Sequence, residues 1–453
     1  MTSDSVAPIP AVKLSIVIVG AGLGGLAASI ALARKGFTVT LLEASSILGE
    51  VGAGIQIPPN STALLKYLGL DQKFEQVIVW PKAIALRRYN NGDLLGYTPL
   101  NPYLTQRYGA PYWLIHRADY HRILHDAAVK NGIEIHTSSR VAHVDEDIPC
   151  VTLEDGRKFK ADVIIGADGI RSLVRNSIFP ELNDDVYVPS GSSAFRATVP
   201  ADLMSGDSDL QELLDSPYAT CWIGPGRHIM AYPIRNKTLY NLVMLHPGDG
   251  EPGVWNTRGS LDDLRNNYAD WDPKLVKILH KVQACLKWKI TYVRELPSWV
   301  SKSGRIALLG DSAHATVPFL AQGAAQAIED SITIAECLAS ARSMDDVAVL
   351  LKLYENIRKA RCTRVQIGSM KYGDVWHMPD GPEQEQRDLA MLVESNRLAD
   401  ETVDLVENDA AAEVPSYDLK NPNFWSDNMF QPWLFGHNAV LTAKYYLTKA
   451  GYQ

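Results

Sequence analysis

Three acidic residues in this chain share one setting. Glu43 closes "FTVTLLE", Asp168 follows "ADVIIGA", and Asp311 follows "RIALLG". Each stands at the carboxyl end of an apolar, β-branched run. A fourth run of this kind, "LSIVIVGAGLGG", ends in Gly20-x-Gly22-x-x-Gly25. In that pattern the first glycine permits a tight turn, the second lets backbone approach a pyrophosphate, and the third lets helix and strand pack closely. The helix that follows offers free N–H groups and a favourable dipole to an anion. Glu43, 18 residues past Gly25, is placed to bind ribose hydroxyls. Together these are the parts of a dinucleotide site with a polyol to hold.

A second group of chemistry-bearing residues follows the turn in "CWIGPGRHIMAYPIR". His228, Met230 and Tyr232 alternate, so they share one face of a strand. Such a face is either packed core or the half-polar wall of a pocket. Arg196, in "SSAFRATVP", lies on a neighbouring predicted strand and is either an anion clamp or a surface ion pair. Trp222 and Phe319 are stacking candidates that would serve equally as core. His314 either caps a helix or meets the ligand.

These residues need a scaffold. Lys13–Val19 reads as a strand, Gly22–Lys35 as a helix stopped by Gly36, and Phe37–Glu43 as a second strand: a β-α-β opening. Helices are expected over Pro58–Tyr67, His121–Lys130 and Leu261–Val282. Cys150–Leu153 and Arg157–Ile165 flank an Asp-Gly hairpin signal. Val188–Leu245 reads as short antiparallel strands. Arg305–Leu309 is a buried strand, and the chain beyond Glu329 is mainly helical. Gly310 to Asp330 carries no charge between Asp311 and Glu329. One G-x-G-x-x-G joins a predicted strand to a predicted helix, so no second dinucleotide domain is expected.

The net charge of -8 excludes a general nucleic-acid binder. Five scattered cysteines among 453 residues suit reduced thiols and a cytoplasmic setting, and neither a disulfide framework nor a metal site is expected. Leu14–Ala33 is uncharged and membrane-length, but its four central glycines suit a strand, turn and helix better than a span, so no stable membrane insertion is expected.

The glycine pattern with Glu43, Asp168-Gly169 and Gly310-Asp311 resembles the single-component FAD-dependent aromatic hydroxylases, in order and spacing across nearly the whole chain. "WLIHRADYHRIL" resembles the segment whose arginine reaches the flavin, here Arg117. "HMPDGPEQEQRD" and "QPWLFGHNA" resemble the salicylate hydroxylase branch. Two departures stand out: Ala315 follows His314 where the family usually has proline, and Glu43 is followed by Ala44-Ser45-Ser46 where an arginine is frequent.

The resemblance implies an α/β fold, with a Rossmann-like FAD-binding domain interrupted by a mostly antiparallel β substrate domain, then a helical C-terminal region. The expected boundaries are a loose tail at 1–12, an FAD domain at 13–79, 110–187 and 289–376, a substrate domain at 80–109 and 188–288, and helices at 377–453. It implies that Gly20, Gly22, Gly25, Glu43, Arg117, Asp168 and Asp311 hold FAD. Gly323 and Ala324 would bring backbone N–H groups to the flavin N1/O2 edge. It implies transient NADH or NADPH, O2, a flavin C4a-hydroperoxide, and hydroxylation of a phenolic acid, with or without decarboxylation. His228, Tyr232 and Arg196 would then hold the substrate. Epoxidation, oxidative dearomatisation or amine oxidation on the same scaffold stays open, as does a non-catalytic binding relative. A monomer or homodimer is expected.

Overall fold

A computed structural model describes residues 11–47, 53–182, 186–216, 218–248, 256–400, 405–406, 415–416 and 419–452. The expected N-terminal tail lies almost wholly outside them.

The first core forms around a five-stranded parallel sheet. In space its strands run Ile306–Leu308, Val163–Gly166, Ser15–Val19, Thr38–Leu42 and Glu134–His136. The first strand in the chain is therefore central, as in nucleotide-binding sheets where ligands gather at the strands' carboxyl ends. "SIVIV" is covered on both faces, which explains its unbroken apolar character. Helix Leu23–Arg34 lies on the sheet and is buried from Leu23 to Leu32 apart from Gly24. It packs against helix Gly323–Ala339, and the small residues of both allow the close approach.

The second core forms around an eight-stranded sheet. Its order is Asn256–Arg258, Leu286–Val293, Tyr187–Pro200, Leu239–Pro247, Arg227–Ile234, Tyr218–Gly224, Ala83–Arg88 and Leu94–Pro99. All pairs are antiparallel except Tyr218–Gly224 with Ala83–Arg88. One face carries Phe195, Trp222, Ile229, Leu242 and Met244 against the helices Ser208–Asp215, Leu261–Asn267 and Pro273–Lys281. The other face looks toward the parallel sheet. Strand Leu286–Val293 crosses the expected boundary at 288.

Several sequence expectations change. The helix expected from His121 begins a turn earlier, at Arg117, because His116 Nδ1 caps it by accepting from Ala118 N at 3.2 Å. The single strand expected over 157–165 divides between two sheets, as Lys158–Lys160 and Val163–Gly166. Asp162 makes the break, accepting from both N and Oγ of Ser15. Leu261–Val282 divides into two helices at Asp272-Pro273, where Asp272 caps the second by accepting from Lys274 N. A second match to the glycine pattern, Gly248–Gly253, follows the antiparallel strand Leu239–Pro247 and falls mostly outside the described residues.

The C-terminal region is not a separate layer. Helix Asp346–Trp376 spans both cores, Phe424–Ser426 sits in the second, and helix Ala439–Lys449 packs back on Gly323–Ala339. No described helix is long and apolar enough to cross a membrane.

Candidate active site

Between the two sheets lies a cavity of about 860 Å³. One wall is backbone. Gly20 has φ +103, and an added Cβ there would lie 2.4 Å from Ala167 O. A Cβ at Gly25 would lie 2.0 Å from Gly20 O, so the strand and helix can meet only without one. Gly22 differs: an added Cβ meets nothing within 4 Å, because the residue faces the cavity. It precedes helix Leu23–Arg34 in extended conformation with no side-chain cap, leaving the first N–H groups toward the cavity. This cradle fits a pyrophosphate.

The acids divide in role. Asp311 is exposed and lines the cavity. Desolvation by the protein around it still raises its pKa, against the pull of His314 and Arg117. Glu43 braces the glycine turn, accepting from Ala21 N and Ser45 N at 2.8 Å each. Asp168 turns away from the cavity. Its oxygens accept from Ser172 Oγ, Leu173 N and Val174 N, fixing the start of helix Leu173–Ile178. Burial nonetheless raises its pKa. Its neighbours Ala167 and Gly169 are the ones that line the cavity.

Gly323 and Ala324 open the 17-residue helix Gly323–Ala339 on the cavity wall. The preceding Gln322 makes no side-chain cap, being bound to Asn60 and Gln326 instead. Free N–H groups at the head of a long helix suit an anionic flavin edge. Arg117 enters between the walls. Burial and the like charge of Arg196 lower its pKa to about 10, while Asp311 opposes them.

The facing wall is side chains. His228, Met230 and Tyr232 share one strand face, as their alternation predicts, and all three line the cavity. Arg196 and Met230 both lie opposite Val243 on the strand between them, so the arginine joins the same face. Its guanidinium lies over the Trp288 ring at 5.5 Å, and its buried Nε meets no acceptor among the described residues. Burial lowers its pKa and raises that of Tyr232, which Arg196 pulls back down. His228 Nδ1 lies 2.8 Å from His377 Nε2, with Phe319 and Trp376 edge-on at 5.3 and 4.8 Å. Burial first, then His377, holds the His228 pKa well below the ordinary histidine range.

Two stacking or contact candidates fare differently from Phe319. Trp222 belongs to the opposite face of the sheet and donates from its indole to Asp272 at 2.8 Å. His314 points into the core beneath the cavity. Its Nε2 lies 2.6 Å from Asp330 Oδ2, and its ring tilts on Trp299. Burial opposes its charge, but Cys362 and the Asp330 carboxylate outweigh burial and raise its pKa. Asp330 also accepts from Gly310 N at 2.9 Å and Arg358 Nε at 2.7 Å. His314, Asp330 and Cys362 cluster closely, but the Arg358 cation occupies the same group, so it is an ion-pair network holding the Gly310 turn.

The sequence reading missed His377, Trp376 and Trp425. The two tryptophans line the cavity from the C-terminal region. Their only sequence signal is aromatic content near "HMPDGPEQEQRD" and at "NFWSD"; nothing local aims them.

A family model described as "FAD binding domain" matches residues 13–368. A relative from Beauveria bassiana, the FAD-dependent monooxygenase OpS4, is 33% identical over 432 residues, covering 95% of this chain and 96% of its own. A 3-hydroxybenzoate 6-hydroxylase from Polaromonas naphthalenivorans is 32% identical, covering 83% and 90%. Among solved structures, CtdE in complex with FAD and a substrate superposes with a TM-score of 0.78 at 22% identity, over 97% of this chain and 99% of that one. A salicylate hydroxylase substrate complex gives 0.71 at 22%, over 86% and 96%. The structural likenesses bear on the fold alone.

Proposed function

The chain belongs to the FAD-binding domain family and is an FAD-dependent monooxygenase, and from that premise we propose that it hydroxylates a phenolic aromatic acid seated on the His228–Tyr232 face. The observation that carries this reading is the wall itself. A histidine, a tyrosine and an arginine share one face of the eight-stranded sheet and line the same cavity as the glycine cradle. Three arginines, Arg117, Arg196 and Arg258, line it with Asp311 as the one acid among the described residues, which leaves the cavity suited to an anion. A phenolate or carboxylate supplies it.

FAD, when bound, supplies the oxygen-activating chemistry. Gly22, Gly323 and Ala324 would hold it through backbone, and Asp311 and Arg117 through side chains. The other side chains prepare the substrate. His228 is neutral at neutral pH, so its free ring nitrogen, Nε2, can accept the phenol proton. Tyr232 keeps its O–H and can donate to the oxygen so charged. Arg196 favours the anion. Phe319, Trp376 and Trp425 keep water from the ring. NADH or NADPH serves as reductant from a transient site.

The cavity continues beyond Arg196 to Arg258, Cys285 and Trp288. That extension favours, as a second reading, another FAD-dependent oxidation of a larger substrate. A screen of hydroxybenzoates separates the two, following NAD(P)H oxidation with product masses. The first reading expects a product one oxygen heavier, or one exchanging CO2 for oxygen where the acid sits on the attacked carbon. Peroxide alone with every phenolic acid would overturn it.

A further inference from the structure

A base whose pKa lies well below that of a phenol cannot store the phenol's proton. It has to pass it on, and among the described residues His228 has one hydrogen-bonded partner to pass it to. We propose that His228 and His377 form a two-imidazole relay that carries a proton between the substrate oxygen and solvent. The inference rests on the reading of His228 as the base.

The geometry supplies each link. His228 lines the cavity, and its Nδ1 is held by His377 Nε2 at 2.8 Å, so Nε2 is the nitrogen left for a phenol. The two rings stack at 25° with centroids 5.1 Å apart. His377 is only partly buried and is not among the cavity-lining residues, so its exposure lies outside the cavity. It stands at the carboxyl end of helix Asp346–Trp376, and its carbonyl accepts from Gly226 N at 3.0 Å. That bond ties the helix end to the hairpin carrying His228. Phe319 and Trp376 pack aromatic rings against the pair. The charged group acting on His377 is Arg387, whose Nε donates to Asp388. Burial and Arg387 lower the His377 pKa to about 4, so neither ring retains a proton near neutrality.

The transfers balance. The phenol O–H bond breaks as a bond forms to His228 Nε2. The His228 Nδ1 proton moves to His377 Nε2, and the His377 Nδ1 proton leaves to water. Both rings end neutral with their tautomers exchanged, and the same steps reversed return a proton to the cavity.

The test uses FAD-loaded protein and 4-nitrophenol, whose phenolate absorbs in the visible, in a stopped-flow pH jump. His377→Gln keeps an acceptor for His228 Nδ1–H but cannot carry a proton. It should retain FAD and slow the rise of the phenolate band by roughly 10²-fold. Imidazole in solution should restore the rate in proportion to its free base, which loss of a merely structural contact would not produce. Ionisation at the wild-type rate in His377→Gln, or slowing that imidazole leaves unchanged, overturns the relay. If His228→Gln alone is slow, the base stands and the relay falls. If neither variant is slow, or wild-type protein never forms the phenolate, both fall.

Discussion

The two walls of the cavity are built by opposite means. The cradle is backbone: its specificity comes from missing side chains at Gly20, Gly22, Gly25 and Gly323 and from helix starts without caps. The facing sheet is side chains, with backbone hydrogen bonds committed to neighbouring strands. A backbone site is intolerant of added atoms, whereas a side-chain site is intolerant of removed ones. Substitutions of each kind should therefore fail in different ways.

The largest expected effect is at Gly25. Its added Cβ would meet backbone that cannot yield, so Gly25→Ala should exceed the usual overpacking cost of about 1–3 kcal/mol and abolish soluble protein. Gly22→Val, three residues earlier, has open space for its Cβ and should give folded apoprotein. Near-ultraviolet circular dichroism and flavin content after dialysis separate the two, and yellow Gly22→Val protein would break the contrast. Asp311→Ala should likewise stay folded while losing much of its FAD, because it removes an acceptor from the cavity and nothing from the sheet. Full flavin occupancy after dialysis would remove Asp311 from the site.

Arg196→Ala tests the other wall. Losing a charged hydrogen-bond partner worth about 1.5–3 kcal/mol should raise KM roughly 10–100-fold with FAD retained. An unchanged KM would mean the guanidinium only packs on Trp288. The last effect concerns pH. His377 has a folded pKa of about 4 against about 6.5 unfolded, so its contribution is present above about pH 6.5 and is lost as pH falls toward about 4. Wild-type Tm should fall more steeply than that of His377→Gln across this window. Parallel Tm curves would contradict the burial of the pair.

The same contrast explains what the sequence made legible. A backbone site writes itself into local residue type, so Gly20, Gly22 and Gly25 are readable at fixed offsets, and Asp311 follows its strand directly. Strand alternation likewise showed that His228, Met230 and Tyr232 share a face. It could not show which face, and Trp222, six residues before His228, looks the other way. Direction also failed for the acids and for His314. Asp168 turns to the helix start just after it, and His314 is drawn inward by Asp330, 16 residues on. His377 reaches His228 across 149 residues of sequence, and the Trp425 contribution comes from further still. Such partners are set by tertiary packing, which no local period encodes.

The His228–Tyr232 face is the proposed substrate wall. Its most direct test is hydroxylated product formed per NAD(P)H oxidised, in FAD-loaded His228→Ala and Tyr232→Phe, with the best hydroxybenzoate from the screen. Both should keep their flavin and reduce it normally. Hydroxylation in His228→Ala should fall by about 10²–10⁴, with peroxide in place of product, and recover partly at high pH where hydroxide removes the phenol proton. Wild-type coupling in both variants would contradict the account and place the substrate against a different wall.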